Sequence, residues 1–227
     1  MAIETRTSAV GKFADRVGIN KVFHRQSAVS AVAGEDCLVS PVQAKIAHIG
    51  RITDGSLISK AGRKVELSRL LGAESKRFQD CSYLNFYLRP TDKHFWITPY
   101  EGAFVYTQKN EGKGRPTIIA LENVYSHIPV MRRIPVFEKA AKRNANIASV
   151  LDAGDFPIGM IAVGSLNVNR IVATYELGVP YPRGQICGHF KIGSTMLLLF
   201  PREFSPVVKE GEKVRLGQPV ARREAHT

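Results

Sequence analysis

The sequence lacks the long apolar run that a membrane-spanning helix requires. No stretch approaches the roughly 20 apolar residues needed to cross a bilayer. The opening letters, MAIETRTSAVGKFADRVG, contain no continuous apolar core of the kind found in a secretory signal. We therefore expect a cytoplasmic protein that meets any membrane from the cytoplasmic face. With 227 residues, 44% of them hydrophobic, the chain is long enough for one well-buried domain.

Cysteine is scarce and histidine is dispersed. The three cysteines, Cys37, Cys81 and Cys187, share no metal-ligand or redox spacing, which argues against a disulfide framework and fits a reducing compartment. The six histidines stand far apart, and no two have metal-ligand spacing on one element. Phosphate-binding glycine loops, zinc-protease motifs and the G-x-S-x-G elbow are also absent. The sequence therefore predicts no metal site.

Acidic residues are too few to balance the basic ones. The chain has 32 lysines and arginines against 20 acids, a net charge of +12. Such an excess favours an anionic partner, which is a nucleic acid, an anionic lipid surface or a phosphorylated substrate. The basic residues are dispersed, with no basic arm, zinc-finger spacing or aromatic ribonucleoprotein motif. These absences mean that no motif supports binding to nucleic acid. A basic face on a membrane-surface protein explains the positive charge as well as nucleic-acid binding does.

Short strand patterns dominate most of the chain. Residues 8–25 mix apolar and basic residues at near-helical spacing, so an N-terminal helical segment is predicted within 1–25 that either docks on the domain or faces a membrane. Further short helices are predicted over 67–71 and 135–144. The rest of the chain after residue 25 consists mainly of short strand-like stretches separated by Gly, Pro and Asn. The pattern predicts an α+β fold, a β-rich single domain over 26–227 with short flanking helices.

The stretch HFKIGSTMLLLFP places Ser194 directly before an apolar run. Residues 196–200 are uniformly apolar and are followed by Pro201, which predicts a buried strand. A serine at the start of such a strand is either an ordinary hydrogen-bonding residue or a place where the chain performs chemistry on itself. The residues around it decide between these interpretations.

An ordered set of blocks resembles the phosphatidylserine decarboxylase family. That family has a V-G-S strand, a basic glycine turn, a G-S-T triplet and an apolar strand. This sequence supplies them as Val163-Gly164-Ser165, Arg183-Gly184, Gly188, Phe190 and Gly193-Ser194-Thr195. Upstream, LVSPVQAKIAHIG, KAGRKVELSRLLG and YLNFYLRPTDKHFWITPYEG resemble three more family blocks in the same order. The resemblance covers roughly Val22 to Pro219.

The resemblance implies a self-made cofactor. The family cuts its own chain before the triplet serine, which here lies between Gly193 and Ser194, giving a β chain to 193 and an α chain from 194. The serine then becomes a pyruvoyl group, which the family uses to decarboxylate phosphatidylserine, and a related amino acid derivative is the other substrate class expected. The resemblance also implies peripheral contact with anionic phospholipid and association into a homodimer.

The sequence departs from the family at the groups that activate the serine. Where the family has an aspartate and the second histidine of its D-Y-H-R-x-H motif, this chain has Gln43 and Ile97. An amide accepts no proton near neutral pH, and isoleucine has no polar atom, so neither can serve as base or orienting acid. Ala44 also replaces the glycine that follows the family's aspartate.

The first histidine of the motif is retained as His94, with Asp92 before it. The resemblance links His94 to decarboxylation, where it would protonate the carbanion, and it is also a substitute base for Ser194. His48 and His189 are further substitutes, and Asp92 is a supporting residue. Two interpretations stay open. One is a pyruvoyl-dependent decarboxylase with unusual self-processing. The other is an uncut, repurposed relative that binds a lipid or partner or performs different chemistry.

Overall fold

Antiparallel strand pairing organises the chain. The structure, a computed structural model, describes residues 2–5, 34, 36–59, 62, 64–89, 91–112, 144–164, 170–190 and 194–224. Its strands, in chain order, are β1 (Ile3–Glu4), β2 (Cys37–Val39), β3 (Ala44–Thr53), β4 (Ser56–Ile58), β5 (Lys64–Glu66), β6 (Cys81–Leu88), β7 (Phe95–Ile97), β8 (Gly102–Asn110), β9 (Asn146–Asp152), β10 (Pro157–Gly164), β11 (Ile171–Ala173), β12 (Pro180–Tyr181), β13 (Ile186–Phe190), β14 (Ser194–Pro201), β15 (Phe204–Pro206), β16 (Lys213–Val214) and β17 (Pro219–Arg223). A short helix, α1 (Ser68–Leu71), continues into a 3-10 helix, Gly72–Phe78. The β-rich α+β class expected from the sequence is confirmed.

The largest sheet has ten strands and places β14 in its middle. The strand order is β12-β8-β9-β10-β14-β6-β3-β4-β5, and β16 pairs with β3 at the side of this path. Strand β14 pairs antiparallel with β10 on one side and with β6 on the other. Every backbone polar group along β14 therefore has a neighbouring strand to pair with, which a fully buried strand requires.

The apolar run of β14 divides between two cores. Met196, Leu198 and Phe200 point to one face of the large sheet, and Leu197 and Leu199 point to the other. Each of the five is at most 1% exposed. The buried strand expected over 196–200 is therefore confirmed, and the lack of alternation in its sequence follows from burial on both faces.

Two smaller sheets and α1 cover the large sheet. The face of the large sheet to which Met196, Leu198 and Phe200 point is covered by two sheets. One has four strands in the order β1-β11-β13-β7, and the other has three in the order β15-β17-β2. They contribute Trp96, Phe190 and Phe204 to the same core as Met196. On the second face, Leu70 and Leu71 of α1 pack with Leu197 and Leu199. The described part of the chain contains no helix long and apolar enough to cross a bilayer.

The helix expectations have mixed outcomes. The helix expected over 67–71 is present as α1. The N-terminal segment begins with β1, in which Ile3 and Glu4 pair with Ala173 and Val172, ahead of the residues whose spacing predicts a helix. Residues 6–25 and most of the expected helix over 135–144 lie outside the described residues.

A close backbone approach explains one glycine of the family-like pattern. The indole of Trp96 lies across Gly188, so that a Cβ added there would stand 2.1 Å from Trp96 Cζ2 and 2.6 Å from the carbonyl oxygen of Val172. Only the absence of a side chain lets β13 and β7 pair while Trp96 packs against Phe190, with ring centroids 4.7 Å apart.

We predict that Gly188→Ala destabilises the protein by about 1–3 kcal/mol, because the buried indole must move to make room. Urea unfolding measures the change. Gly34→Ala is the matched control, since a Cβ at Gly34 has nothing within 4 Å and should leave the free energy of unfolding nearly unchanged. If both substitutions changed the free energy of unfolding equally, the close approach of Trp96 to Gly188 would be contradicted.

Candidate functional site

Ser194 begins β14 at the end of the large sheet. Its backbone stands between Gly164, the last residue of β10, and Leu88, the last residue of β6. Gly164 has no side chain. The fold therefore places the residue that would carry a pyruvoyl group at the end of a central strand, opposite a glycine on the β10 side.

Two connections leave this strand end for the small four-stranded sheet. One runs from Leu88 to β7, and the other joins β13 to Ser194. They are joined by a backbone hydrogen bond in which the N–H of Phe190 donates to the carbonyl oxygen of His94 at 2.6 Å. The sequence places His94 six positions after Leu88 and Phe190 four positions before Ser194. The backbone of His94 is therefore held beside Phe190, four positions before Ser194 in the sequence.

His94 lies inside the protein. Its side chain is 0% exposed. The register of β13 and β7, in which His189 pairs with Phe95, continues to a Phe190–His94 pair. In an antiparallel pair of strands, residues directly opposite each other project to the same face of the sheet, and successive residues along a strand project to alternate faces. His94 therefore shares a face of the small sheet with Phe190, and His189 lies on the opposite face. His189 is half-buried and also pairs with Val172. The structure does not bring the two histidines to the same side.

Asp92 contacts Arg89. Its carboxylate accepts hydrogen bonds from the Arg89 backbone N–H at 2.9 Å and from Nε and Nη2 of the guanidinium at 3.0 and 2.6 Å. The hydrogen bond to Asp92 raises the pKa of Arg89 above its ordinary value. The Asp92 N–H in turn donates to the Arg89 carbonyl at 2.9 Å. Asp92 thus closes the turn that leads from Leu88 to His94, and its support of His94 acts through the backbone.

The two positions where the family's activating residues are replaced lie in paired segments. The N–H of Ile97 donates to the Pro41 carbonyl at 2.9 Å, and the N–H of Val39 donates to the Pro99 carbonyl at 3.0 Å. Gln43 follows Pro41 by two residues and is half-buried, whereas Ile97 is 0% exposed. The two positions therefore lie in segments that pair with each other, and they carry an amide and an alkyl side chain.

His48 belongs to another part of the large sheet. It pairs with Asn85, which pairs with Leu197. It is thus displaced from Ser194 by about 10 Å along the strands and by the intervening β6. Its Nδ1 lies 2.5 Å from Glu210 Oε1, and it lines a cleft with Arg51, Arg202 and other residues near the opposite end of β14. The structure does not bring His48 to Ser194.

An asparagine cluster that sequence reasoning missed lies beside Gly164. The side-chain amide of Asn144 donates to the Gly164 carbonyl at 2.8 Å, and the Gly164 N–H donates to the Ala145 carbonyl at 2.9 Å. Asn144 is only 3% exposed. Its position just before the expected strand ANIASVLDA was a signal, but asparagine there is indistinguishable from ordinary turn punctuation without the register.

The cysteines are unsuited to nucleophilic chemistry. Burial raises the pKa of Cys81 to about 12 and raises that of Cys187 well above its ordinary value. Cys37 is also buried, and its Sγ–H donates to the Gly34 carbonyl. The reactive form of cysteine is the thiolate, so Cys81 and Cys187 are inert near neutral pH. Among the residues with a described position, no group of three His, Cys, Asp or Glu side chains could hold a metal ion.

Comparison with known proteins gives a consistent result. The sequence model of the family described as phosphatidylserine decarboxylase matches residues 21–222. A phosphatidylserine decarboxylase proenzyme of Brevibacillus brevis is 28% identical over 211 residues, which cover 85% of this chain and 73% of the relative. The proenzyme of Psychrobacter arcticus is 25% identical, with 81% and 69% covered, and that of an Anaeromyxobacter species is 27% identical, with 82% and 71% covered.

We predict that Asp92→Ala, tested in a Ser194→Ala background that keeps one chain, destabilises the protein by about 1–3 kcal/mol. The Arg89 N–H loses its acceptor, and the guanidinium loses its carboxylate. Asp92→Asn keeps an oxygen for the N–H and should cost less. Chemical denaturation measures all of these changes.

The matched control for Asp92 is Glu66→Ala, which removes an exposed i,i+3 pair with Arg69. Because solvent screens that pair, its loss should cost at most about 0.5 kcal/mol. A loss from Asp92→Ala no larger than that of the control would show that the turn does not depend on Asp92.

Proposed function

This chain belongs to the phosphatidylserine decarboxylase family, and on that premise we propose that it is a pyruvoyl-dependent carboxy-lyase. Its substrate is phosphatidylserine or a related amino acid derivative, and its product is the corresponding amine. The observation that carries the proposal is the position of Ser194 between Gly164 and Leu88, with His94 held on the adjoining connection by Phe190.

The proposed self-processing uses the chain's own atoms and one water molecule. The Ser194 hydroxyl oxygen attacks the carbonyl carbon of Gly193, its proton is removed, and the bond to the Ser194 nitrogen breaks as that nitrogen takes a proton. The ester that forms then loses the Ser194 Cα proton and expels the Gly193 carboxylate. Water replaces the nitrogen, which leaves as ammonia. The pyruvoyl group so formed supplies a ketone that condenses with a substrate amine and accepts the electron pair released when carbon dioxide leaves.

His94 is the proposed base for this sequence. Gln43 and Ile97 accept no proton, so the base must come from elsewhere on the chain. The backbone pairing of His94 with Phe190 supports its proximity to the 193–194 bond. His48 lies on β3, separated from β14 by β6, and His189 lies on the face of β13 opposite to that of His94. The same imidazole is suited to return a proton to the substrate carbon after carbon dioxide leaves, since that step also transfers a proton.

A second candidate function is favoured by the replaced activating residues. Ile97 is fully buried, so one of the two positions that carry activating groups in the family has an apolar side chain here. A chain that keeps the fold without cutting itself would bind a lipid or a partner protein, or use Ser194 and His94 for different chemistry. The state of the 193–194 bond distinguishes the two functions.

We predict that the purified protein consists of two fragments, with the fragment starting at position 194 blocked to N-terminal sequencing. Intact-mass spectrometry and a denaturing gel measure both properties. Ser194→Ala should leave one uncut chain, because it removes the attacking hydroxyl. A wild-type chain that stays whole would contradict the decarboxylase proposal and favour the second candidate.

His94→Gln belongs to the same experiment and tests the base. Removing a general base typically slows a reaction by roughly 10²–10⁴-fold, so this variant should accumulate as uncut chain. His189→Gln is the matched control, because its side chain lies on the other face of β13, and it should cut normally. If His94→Gln is still cut but has lost decarboxylase activity, His94 acts only in decarboxylation and is not the base for self-cleavage.

The proposed lipid substrate implies contact with an anionic membrane surface. A net charge of +12 supports such contact, and it would occur at the cytoplasmic face. We predict that the protein floats with vesicles rich in phosphatidylserine at low salt and is released at about 0.5 M salt, because mobile ions screen the attraction. Vesicles of neutral phosphatidylcholine are the control. Failure to float at low salt would indicate a soluble substrate. Homodimer formation remains a prediction from the family.

A further inference from the structure

Asn144 stands where strand β9 would otherwise continue. Strand β9 begins at Asn146, and β10 ends at Gly164, one residue beyond the last registered pair, Val163 with Asn146. The Gly164 N–H still donates to the Ala145 carbonyl at 2.9 Å, while the Gly164 carbonyl accepts from the Asn144 side-chain amide at 2.8 Å. The side chain of Asn144 thus supplies a donor in the place of a backbone N–H of the neighbouring strand.

These bonds fix the direction of the backbone at Gly164. In a strand, the N–H and C=O of one residue point to the same side, and both groups of Gly164 point toward β9. Its pairing with Ser194 is therefore of the type in which the two residues exchange no backbone hydrogen bonds. By the same alternation, the N–H and C=O of Ser194 point toward Leu88. The last residue of β10 is held beside Ser194 from the β9 side.

We propose that Asn144 is a positioning residue for self-cleavage at Ser194. Its amide keeps the end of β10 in register and so fixes the position of Gly164, the residue with which Ser194 pairs. This inference rests on the proposed function, because it assumes that the 193–194 bond is cut. It assigns to Asn144 a role that acts through Gly164, without contact with the reacting atoms.

Hydrogen bonds from the neighbouring asparagines hold the backbone of Asn144. Asn146, which is 2% exposed, donates its amide to the Asn144 carbonyl at 3.2 Å, and Asn110 donates its amide to Asn146 Oδ1 at 2.9 Å. The three asparagines form a chain of donors that ends at the Gly164 carbonyl. A buried chain of satisfied donors and acceptors adopts fewer alternative arrangements than an isolated amide does.

The test compares two isosteric substitutions in the full chain. Asn144→Asp replaces the donor to Gly164 with a carboxylate, and Asn110→Asp makes the same chemical change at the far end of the chain of asparagines. Pulse-chase cell-free translation at about pH 8 follows the conversion of precursor into fragments. We expect Asn144→Asp to slow cleavage roughly 10- to 100-fold, because small displacements of reacting groups are costly, and Asn110→Asp by less than about threefold.

Two further measurements separate positioning from loss of folding. At about pH 5 a buried aspartic acid is protonated and its O–H can donate to the Gly164 carbonyl, so the cleavage rate of Asn144→Asp relative to wild type should rise at least about threefold. In a Ser194→Ala background, which stays uncut, thermal unfolding of the Asn144→Asp and Asn110→Asp chains should have similar midpoints.

The outcomes are distinct. Cleavage of Asn144→Asp at the wild-type rate, or equal slowing by both substitutions, would overturn the role of Asn144. Slowing without recovery at low pH, accompanied by a lower midpoint than that of Asn110→Asp, would reduce Asn144 to a folding residue. A wild-type chain that is never cut would contradict the proposed function itself. This result is distinguishable from failure of the Asn144 proposal because it is observed in the wild-type protein, without any substitution.

Discussion

The pairing of β14 between β10 and β6 is the constraint on which the rest of the structure depends. Its side chains enter both cores of the large sheet, so β14 cannot slip along its neighbours without exchanging the residues of one core for those of the other. The register is thereby fixed down to its first residue. Ser194 takes a defined position opposite Gly164 and Leu88 because of apolar packing several residues away.

The same register decides which polar groups meet at the strand end. Two connections cross from the large sheet to the small one, and the hydrogen bond from Phe190 to His94 couples them. The turn closed by Asp92 sets the path of one connection, and the approach of Trp96 to Gly188 sets the pairing at the end of the other. The backbone of His94 is thus held at the end of β13 by the pairing of the two connections.

The replacements at Gln43 and Ile97 remove proton-transfer groups. The segments that carry them are paired through Pro41 and Pro99. An amide and an isoleucine occupy these positions without transferring protons. Family membership and the loss of these groups are therefore compatible, because the first rests on packing and register along the whole chain and the second on two side chains.

The sequence by itself determined the fold class, the buried strand after Ser194, the helix near residues 67–71 and the family, because apolar patterning and ordered motifs are local properties of a chain. It did not determine the strand at Ile3–Glu4, the contact of Asp92 with Arg89, or the separation of His48 and His189 from His94. Nor did it reveal Asn144 beside Gly164. Those features depend on which strands become neighbours and on the face to which each residue alternates. A shift of one residue in register reverses every face, so only the tertiary structure decided them.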